Sequence, residues 1–295
     1  MRIPSDVVRD GLGAINQAAE QMAAAQLQVS TGRRLLRAGD DPLGSQQAVL
    51  EHAGLGAIDA YSRSRDGAAA RLAAADSVLA SFGDKLASAI AMALGARGSS
   101  TTPAARAAAA DAIRGLRDSL LSDMNTTFNG VSLFAGTRAA GAAYALVAGS
   151  WTYQGTGQTS QVEVERGRLV SVTFDGQAIA QGSDPVDIFT VLDNLAAAIT
   201  AGNDAAIGTE VTGVERALDR TLLAQGRLGA DERGLDDATV RLAVLKSGGE
   251  TRRSKIEDVN MAEAVMRLTE AETAYRAALG SVSVVERVSL LDYLK

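Results

Sequence analysis

The sequence predicts a mainly α fold: an elongated antiparallel helical bundle or coiled coil built from both termini, with a small central antiparallel β module. Three observations predict it. Apolar residues recur at alternating steps of three and four near both ends of the chain. Alternating segments with turn signals occur only in the middle. The aromatic residues divide the same way: Phe128, Phe134, Tyr144, Trp151, Tyr153, Phe174 and Phe189 crowd one stretch, and only Tyr61, Phe82, Tyr275 and Tyr293 lie outside it. Aromatic rings anchor compact cores, so the flanks must be held by Ala, Leu and Val, which suits helix-on-helix packing.

The first helix follows Pro4, where Ser5 or Asp6 offers an oxygen to the free N–H groups of the first turn. Val8, Leu12, Ile15, Ala19, Met22, Gln26 and Val29 then form a heptad seam broken only by Gln26. Gly32 ends it. Residues 33–44 read as a loop, because Pro42 disfavours helix at Asp41. A second helical stretch runs from about Ser45 to about Leu94, with Leu72, Ala75, Leu79, Phe82, Leu86, Ala89 and Ala93 along its later half. Gly54, Gly56 and Gly67 weaken its earlier half by about 1 kcal/mol each. About fifty helical residues span roughly 75 Å, more than the ~50 Å diameter of a compact globule of this length. An unbroken helix here would make the molecule a rod.

Thr101-Thr102-Pro103 opens the next helix, with Thr as cap and Pro in the first turn, and 97–102 joins two antiparallel helices. Its apolar face is Ile113, Leu116, Leu120 and Met124, and it is expected to end near Asn129-Gly130. The period then changes to two at 151–153, 162–165 and 170–174. Arg166-Gly167 reads as a turn and Asp175-Gly176 as a hairpin signal. The β module therefore covers about 141–182. Ser183-Asp184-Pro185 is expected to open a helix with Phe189, Leu192 and Leu195 on one face. Helices return over 183–255, with possible interruptions at Gly226, Gly229 and Gly234. The last segment, 256–295, carries Met261, Val265, Leu268, Tyr275, Leu279 and Val282, with Glu272 inside the seam and Val285, Val288 and Leu291 following at steps of three. The divisions are thus 1–44, 45–140, 141–182, 183–255 and 256–295.

Composition narrows the chemistry. The chain has no Cys and one His, His52, which removes thiolate nucleophiles, disulfides and multi-His or Cys metal sites. A net charge of -6 argues against a phosphate-binding surface and so against nucleic acid. No apolar run approaches the ~20 residues of a membrane span, so no membrane insertion is expected, and the first residues lack an apolar signal core. Asp40-Asp41 has no third ligand or poised base near it in sequence, and Asp in a proline turn caps local backbone. His52 has no nucleophile beside it. Gly155-Thr156-Gly157-Gln158-Thr159-Ser160 lacks the Lys of a phosphate-binding loop. Arg33, Arg34 and Arg37 lack aromatic stacking partners. No cofactor, metal or catalytic constellation is expected.

Motifs at both ends resemble those of the bacterial flagellin family. The first are Val29-Ser30-Thr31-Gly32-Arg33-Arg34 and Gly39-Asp40-Asp41-Pro42. Next comes Asn125-Thr126-Thr127-Phe128-Asn129-Gly130, running into Leu133-Phe134-Ala135-Gly136. At the far end stands Ile256-Glu257-Asp258-Val259-Asn260-Met261-Ala262-Glu263-Ala264, and then Ser289-Leu290-Leu291-Asp292-Tyr293-Leu294. The resemblance covers roughly 1–140 and 205–295. It implies a non-enzymatic structural subunit whose terminal helices line a tubular assembly. It also implies signal-less type III export with a chaperone at the C-terminal region. The implied partners are further copies and the neighbouring axial proteins, on the hook side and in the filament. The Asp-Asp-Pro turn, the Phe-Ala-Gly step and the small β insertion resemble a member placed extracellularly at the hook–filament junction. A short filament flagellin is the alternative, and another secreted coiled-coil protein a more distant one. One departure is a first helix rich in Ala.

The candidate functional residues are the seams, as an assembly interface: Val8, Leu12, Ile15, Met22 and Val29 at one end, and Val265, Leu268, Tyr275, Leu279, Val282 and Leu291 at the other. They can pair within one subunit and leave outer faces for neighbours.

Overall fold

The computed structural model describes residues 5–98, 101–138 and 140–293, with backbone alone for 5–8 and 284–293. These residues form seven helices and six short strands. The expected cap at Ser5 or Asp6 lies on side chains outside the described set, and α1 runs Ser5–Thr31.

Helix α2 (Pro42–Gly95) is a single helix of 54 residues, uninterrupted at its glycines. It starts three residues before the expected Ser45 because the Asp41 carboxylate accepts from Gly44 N–H at 2.9 Å and caps a first turn opened by Pro42. One 18-residue stretch of α2, with mean hydropathy 1.3, is by length and composition apolar enough to cross a membrane. That departs from the expectation that no run approaches this length. The stripe Leu72, Leu79, Phe82 and Leu86 of the same helix is fully buried in the protein's own core.

Helix α3 (Pro103–Met124) begins as expected, with Thr102 accepting from Ala105 N–H. It ends at Met124 rather than near Asn129. Asn129 and Gly130, both at positive φ, instead form the two-residue turn between β1 (Thr127–Phe128) and β2 (Val131–Ser132). Two further antiparallel hairpins follow: β3 (Tyr144–Val147) with β4 (Ser150–Tyr153), and β5 (Gln161–Glu165) with β6 (Arg168–Ser171). The second turns at Arg166-Gly167 as expected.

Asp175-Gly176 is not a hairpin turn. Asp175 caps α4 (Gly176–Ala180) by accepting from Gln177 N–H. Gly176 is required because a Cβ there would lie 2.6 Å from Phe134 O. Helix α5 (Ile188–Ala201) is capped by Asp187, not by Ser183 or Asp184. Asp184 is engaged instead by Arg216 at 2.9 Å and Arg220 at 2.7 Å. Helix α6 (Asp204–Glu257) continues through Gly226, Gly229 and Gly234, and α7 is Met261–Tyr293.

Two compact units result, residues 1–57 with 245–295, and residues 58–244. The larger unit holds the main core. Leu72, Ala75, Leu79, Phe82, Leu86, Ala89 and Ala93 of α2 are fully buried together with Ile113, Leu120 and Met124 of α3 and Phe189 and Leu192 of α5. Each large side chain of this set is worth roughly 1.5–3 kcal/mol of burial. Lys85 and Asp123 join α2 to α3 at 2.6 Å. Tyr144 packs edge-on against Phe189, with ring centroids 4.9 Å apart. Tyr153 donates to Phe134 O at 3.0 Å, which ties the β3–β4 hairpin to the segment after β2.

Candidate assembly interface

The smaller unit pairs the two chain ends. Three observations give α1 and α7 an antiparallel register. Arg33 and Asp258 form an antiparallel bridge. Gln21, Ala24, Ala25 and Gln28 line one groove with Arg267, Glu270, Ala271 and Ala274. A Cβ placed on Gly11 would lie 2.9 Å from Val282 Cγ2. Low-numbered residues of α1 thus meet high-numbered residues of α7.

Burial identifies the facing residues. On α1 they are Gly11, Ile15, Ala18, Met22, Ala25 and Val29; on α7 they are Ala264, Leu268, Ala271, Tyr275, Ala278 and Val282. Both sets step by four and three. Gly11 approaches Val282, and stepping from that contact along the antiparallel register assigns a small residue to a larger one in every layer: Ile15 to Ala278, Ala18 to Tyr275, Met22 to Ala271, Ala25 to Leu268, and Val29 to Ala264. A large side chain fits only where its opposite number is small, because interiors are close-packed.

The seam therefore differs from the expected one at alternate positions. It passes through Ala18 and Ala25, not Ala19 and Gln26, and through Ala264, Ala271 and Ala278, not Val265, Glu272 and Leu279. Gln26 is exposed and breaks nothing. Of the candidate residues, Ile15, Met22, Val29, Leu268, Tyr275 and Val282 are half-buried in this intrachain seam. Leu12, Val265 and Leu279 are 53%, 48% and 43% exposed. Val8 and Leu291 lie outside the described side chains. The Ala positions were missed because Ala is a weak apolar signal, although each stands one residue from a position that was read.

The pair has two unlike sides. Leu12, Ala19 and Gln26 form a stripe one step off the α1 seam, and Val265, Glu272 and Leu279 do the same on α7. In an antiparallel coil, equivalent flanking positions share a side, so Leu12, Leu279 and Val265 border one apolar edge. The opposite side is the groove with its Gln21, Gln28 and Arg267 rim. Among the described side chains of α7, Arg267 pairs with Glu263 at 2.6 Å and Arg276 with Glu272 at 3.7 Å, both within the helix.

Asp40, Asp41, His52 and the 155–160 loop have structural partners. The Asp40 carboxylate accepts from the N–H groups of Leu36 and Arg37. Gly44 N–H and the Arg34 guanidinium hold the Asp41 carboxyl below its usual value. His52 Nε2 lies 2.6 Å from Glu257 Oε1. The loop at Gly155–Ser160 receives the Tyr153 hydroxyl at Thr156 O.

The described ends of the chain thus pair in one antiparallel coil with exposed Leu12, Val265 and Leu279 beside it. The bacterial flagellin N-terminal helical region matches residues 12–139 and the C-terminal helical region matches 211–294, and the chain belongs to the bacterial flagellin family. Among curated relatives, flagellar hook-associated protein 3 of Escherichia coli is 26% identical over 96% of both chains. That of Salmonella typhimurium is 24% identical over 95% of both. Among solved structures, Xanthomonas campestris FlgL has a TM-score of 0.63 at 20% identity, covering 69% of this chain and 99% of its own. The flagellar junction protein FlgL of Legionella pneumophila has a TM-score of 0.60 at 14% identity, covering 72% and 99%.

Proposed function

We propose that this chain is a structural subunit of the bacterial flagellum that joins the hook to the filament. One observation carries this reading: the likeness to two hook-associated proteins runs over nearly the full length of both partners. The middle module is then of their size, with no allowance for a large outer domain. The work is mechanical. The apolar edge of Leu12, Val265 and Leu279 packs against further copies and against the axial proteins on either side, in the open head-to-tail geometry of a tube. Arrival outside the cell is by type III export, with a chaperone on the C-terminal helix before secretion.

Labelled protein on intact flagella tests the reading. A narrow band at the hook–filament boundary is the expected result, and cells lacking the protein should build hooks while releasing filament subunits into the medium. Label along the whole filament would make the chain a short flagellin instead.

A further inference from the structure

The base of the α1–α7 pair is a compact clasp. Val259 N–H donates to Gly32 O at 2.9 Å and Arg34 N–H donates to Glu257 O at 2.6 Å, on either side of the Arg33–Asp258 bridge. The Arg34 guanidinium donates from Nε and Nη2 to Ile256 O at 3.2 and 2.8 Å, capping the carbonyl end of α6. Its Nη1 donates to Asp41 at 3.2 Å, the residue that caps α2. Glu257 is 8% exposed, and its carboxylate meets the chain's single imidazole, His52. Beside it, Arg252 pairs with Glu51 at 2.8 Å.

In a helical hairpin a short loop makes two helices neighbours. No such loop joins α1 to α7: Arg34 and Ile256 stand 222 residues apart in sequence. The clasp occupies the place of that loop. Helices without a packed partner are marginal in water, and their first turns are the costly ones. Once the clasp fixes Thr31 and Met261 side by side, each further layer forms at a high effective concentration. We propose that the clasp is a split turn from which the two terminal helices zip together. Pairing starts at Val29 and Ala264 and runs to Gly11 and Val282. Arg34 and the His52–Glu257 bond are its positioning residues. This holds whatever the subunit's place in the flagellum.

The absence of Cys makes the test clean. Gln21→Cys with Ala274→Cys places one thiol on each helix in the groove, away from the seam and from the clasp. Thr137→Cys with Thr156→Cys, whose hydroxyls are 2.8 Å apart, is the control within 58–244. Coupling of each pair by a short bismaleimide is timed in the full-length chain. Adding Arg34→Gln should slow coupling at 21 and 274 by about tenfold, as the effective concentration falls, and leave the control pair unchanged. His52→Leu should slow the same pair, and His52→Gln, which still donates to Glu257, should restore it to within about twofold of the parent. Unchanged coupling at 21 and 274 with Arg34→Gln overturns the proposal. So does equal slowing of the control pair, which would make Arg34 a support of the whole fold. Equal rates for His52→Leu and His52→Gln would remove the His52–Glu257 bond from the mechanism.

Discussion

Gly11 and Val282 meet where the α1–α7 pair approaches the chain termini, so closely that a Cβ on Gly11 would sit 2.9 Å from Val282 Cγ2. Two residues on, Gly13 has open space where its Cβ would be. The two glycines should respond oppositely. Gly13→Ala should raise the thermal stability of the terminal helices by about 1 kcal/mol through helix propensity. Gly11→Leu should lower it by about 1–3 kcal/mol through overpacking. Circular dichroism of the full chain reads both, and stabilisation by Gly11→Leu would show that the layer is not closed.

Leu268 and Leu279 lie on one helix but differ in exposure. Leu268 faces Ala25 inside the subunit, whereas Leu279 is 43% exposed on the apolar edge. Leu268→Asp puts an unpaired charge into the seam and should unpair α1 from α7 in the isolated chain, at about 2–5 kcal/mol. Leu279→Asp should leave the isolated pair intact and block incorporation into the flagellum. If Leu279→Asp incorporates normally, the apolar edge is not the interface.

Hydrogen exchange on the isolated chain should grade the two units. Among the described residues of the α1–α7 seam only Ala18, Ala25 and Ala264 are buried, while the α2 stripe is dry from Leu72 to Ala93. Amides of 9–31 and 261–283 should therefore exchange at least ~100-fold faster than those of 72–93 and 113–124. Matching slow exchange in both sets would count against this reading.

Asp187 caps α5 through Thr190 N–H at 3.0 Å and also accepts from the Thr190 hydroxyl at 3.1 Å. Asp187→Ala should cost about 1–2 kcal/mol, a fall of a few degrees in the melting of the larger unit. The same substitution at Ser183, expected from sequence to stand at this helix start, should have an effect within about 0.5 kcal/mol.

Burial alone would raise the Asp184 carboxyl, but the hydrogen bonds from Arg220 and Arg216 outweigh it and hold the group below its ordinary value of 3.8. A carboxyl that is lower in the folded than in the unfolded chain adds stability above the unfolded value. It loses that stability as pH falls through the folded value. The melting temperatures of wild type and Asp184→Asn should differ most at neutral pH and converge as pH falls through the lowered folded value. A gap that persists into strong acid would locate the stabilisation elsewhere.

The long helices and the end-to-end pairing were legible because heptad steps are local. Leu72 to Ala93 and the Ile15, Met22, Leu268 and Tyr275 positions follow from spacing alone. What the sequence concealed were choices made by distant partners. Asp184 and Asp187 are equally good caps on paper, and Arg216 and Arg220, thirty-two and thirty-six residues on, remove the first from the competition. Asp175-Gly176 carries hairpin chemistry, but the approach of Phe134 O turns it into a helix start. Gly226, Gly229 and Gly234 do not break α6, where Leu228 and Leu235 beside them are buried. Likewise Ala18 and Ala19 cannot be told apart until α7 faces them.

The alternation of small and large layers makes the coil a ratchet. Sliding α1 along α7 by one layer would set Ile15 on Tyr275 and Met22 on Leu268 and leave Ala opposite Ala, so half the seam would collide while the other half gaped. Sliding by a whole heptad, about 10 Å, brings large back to small. The permitted settings are thus discrete and widely separated, and the bridge between Arg33 and Asp258 selects one of them. The register of the two terminal helices is therefore set in teeth rather than on a smooth slope.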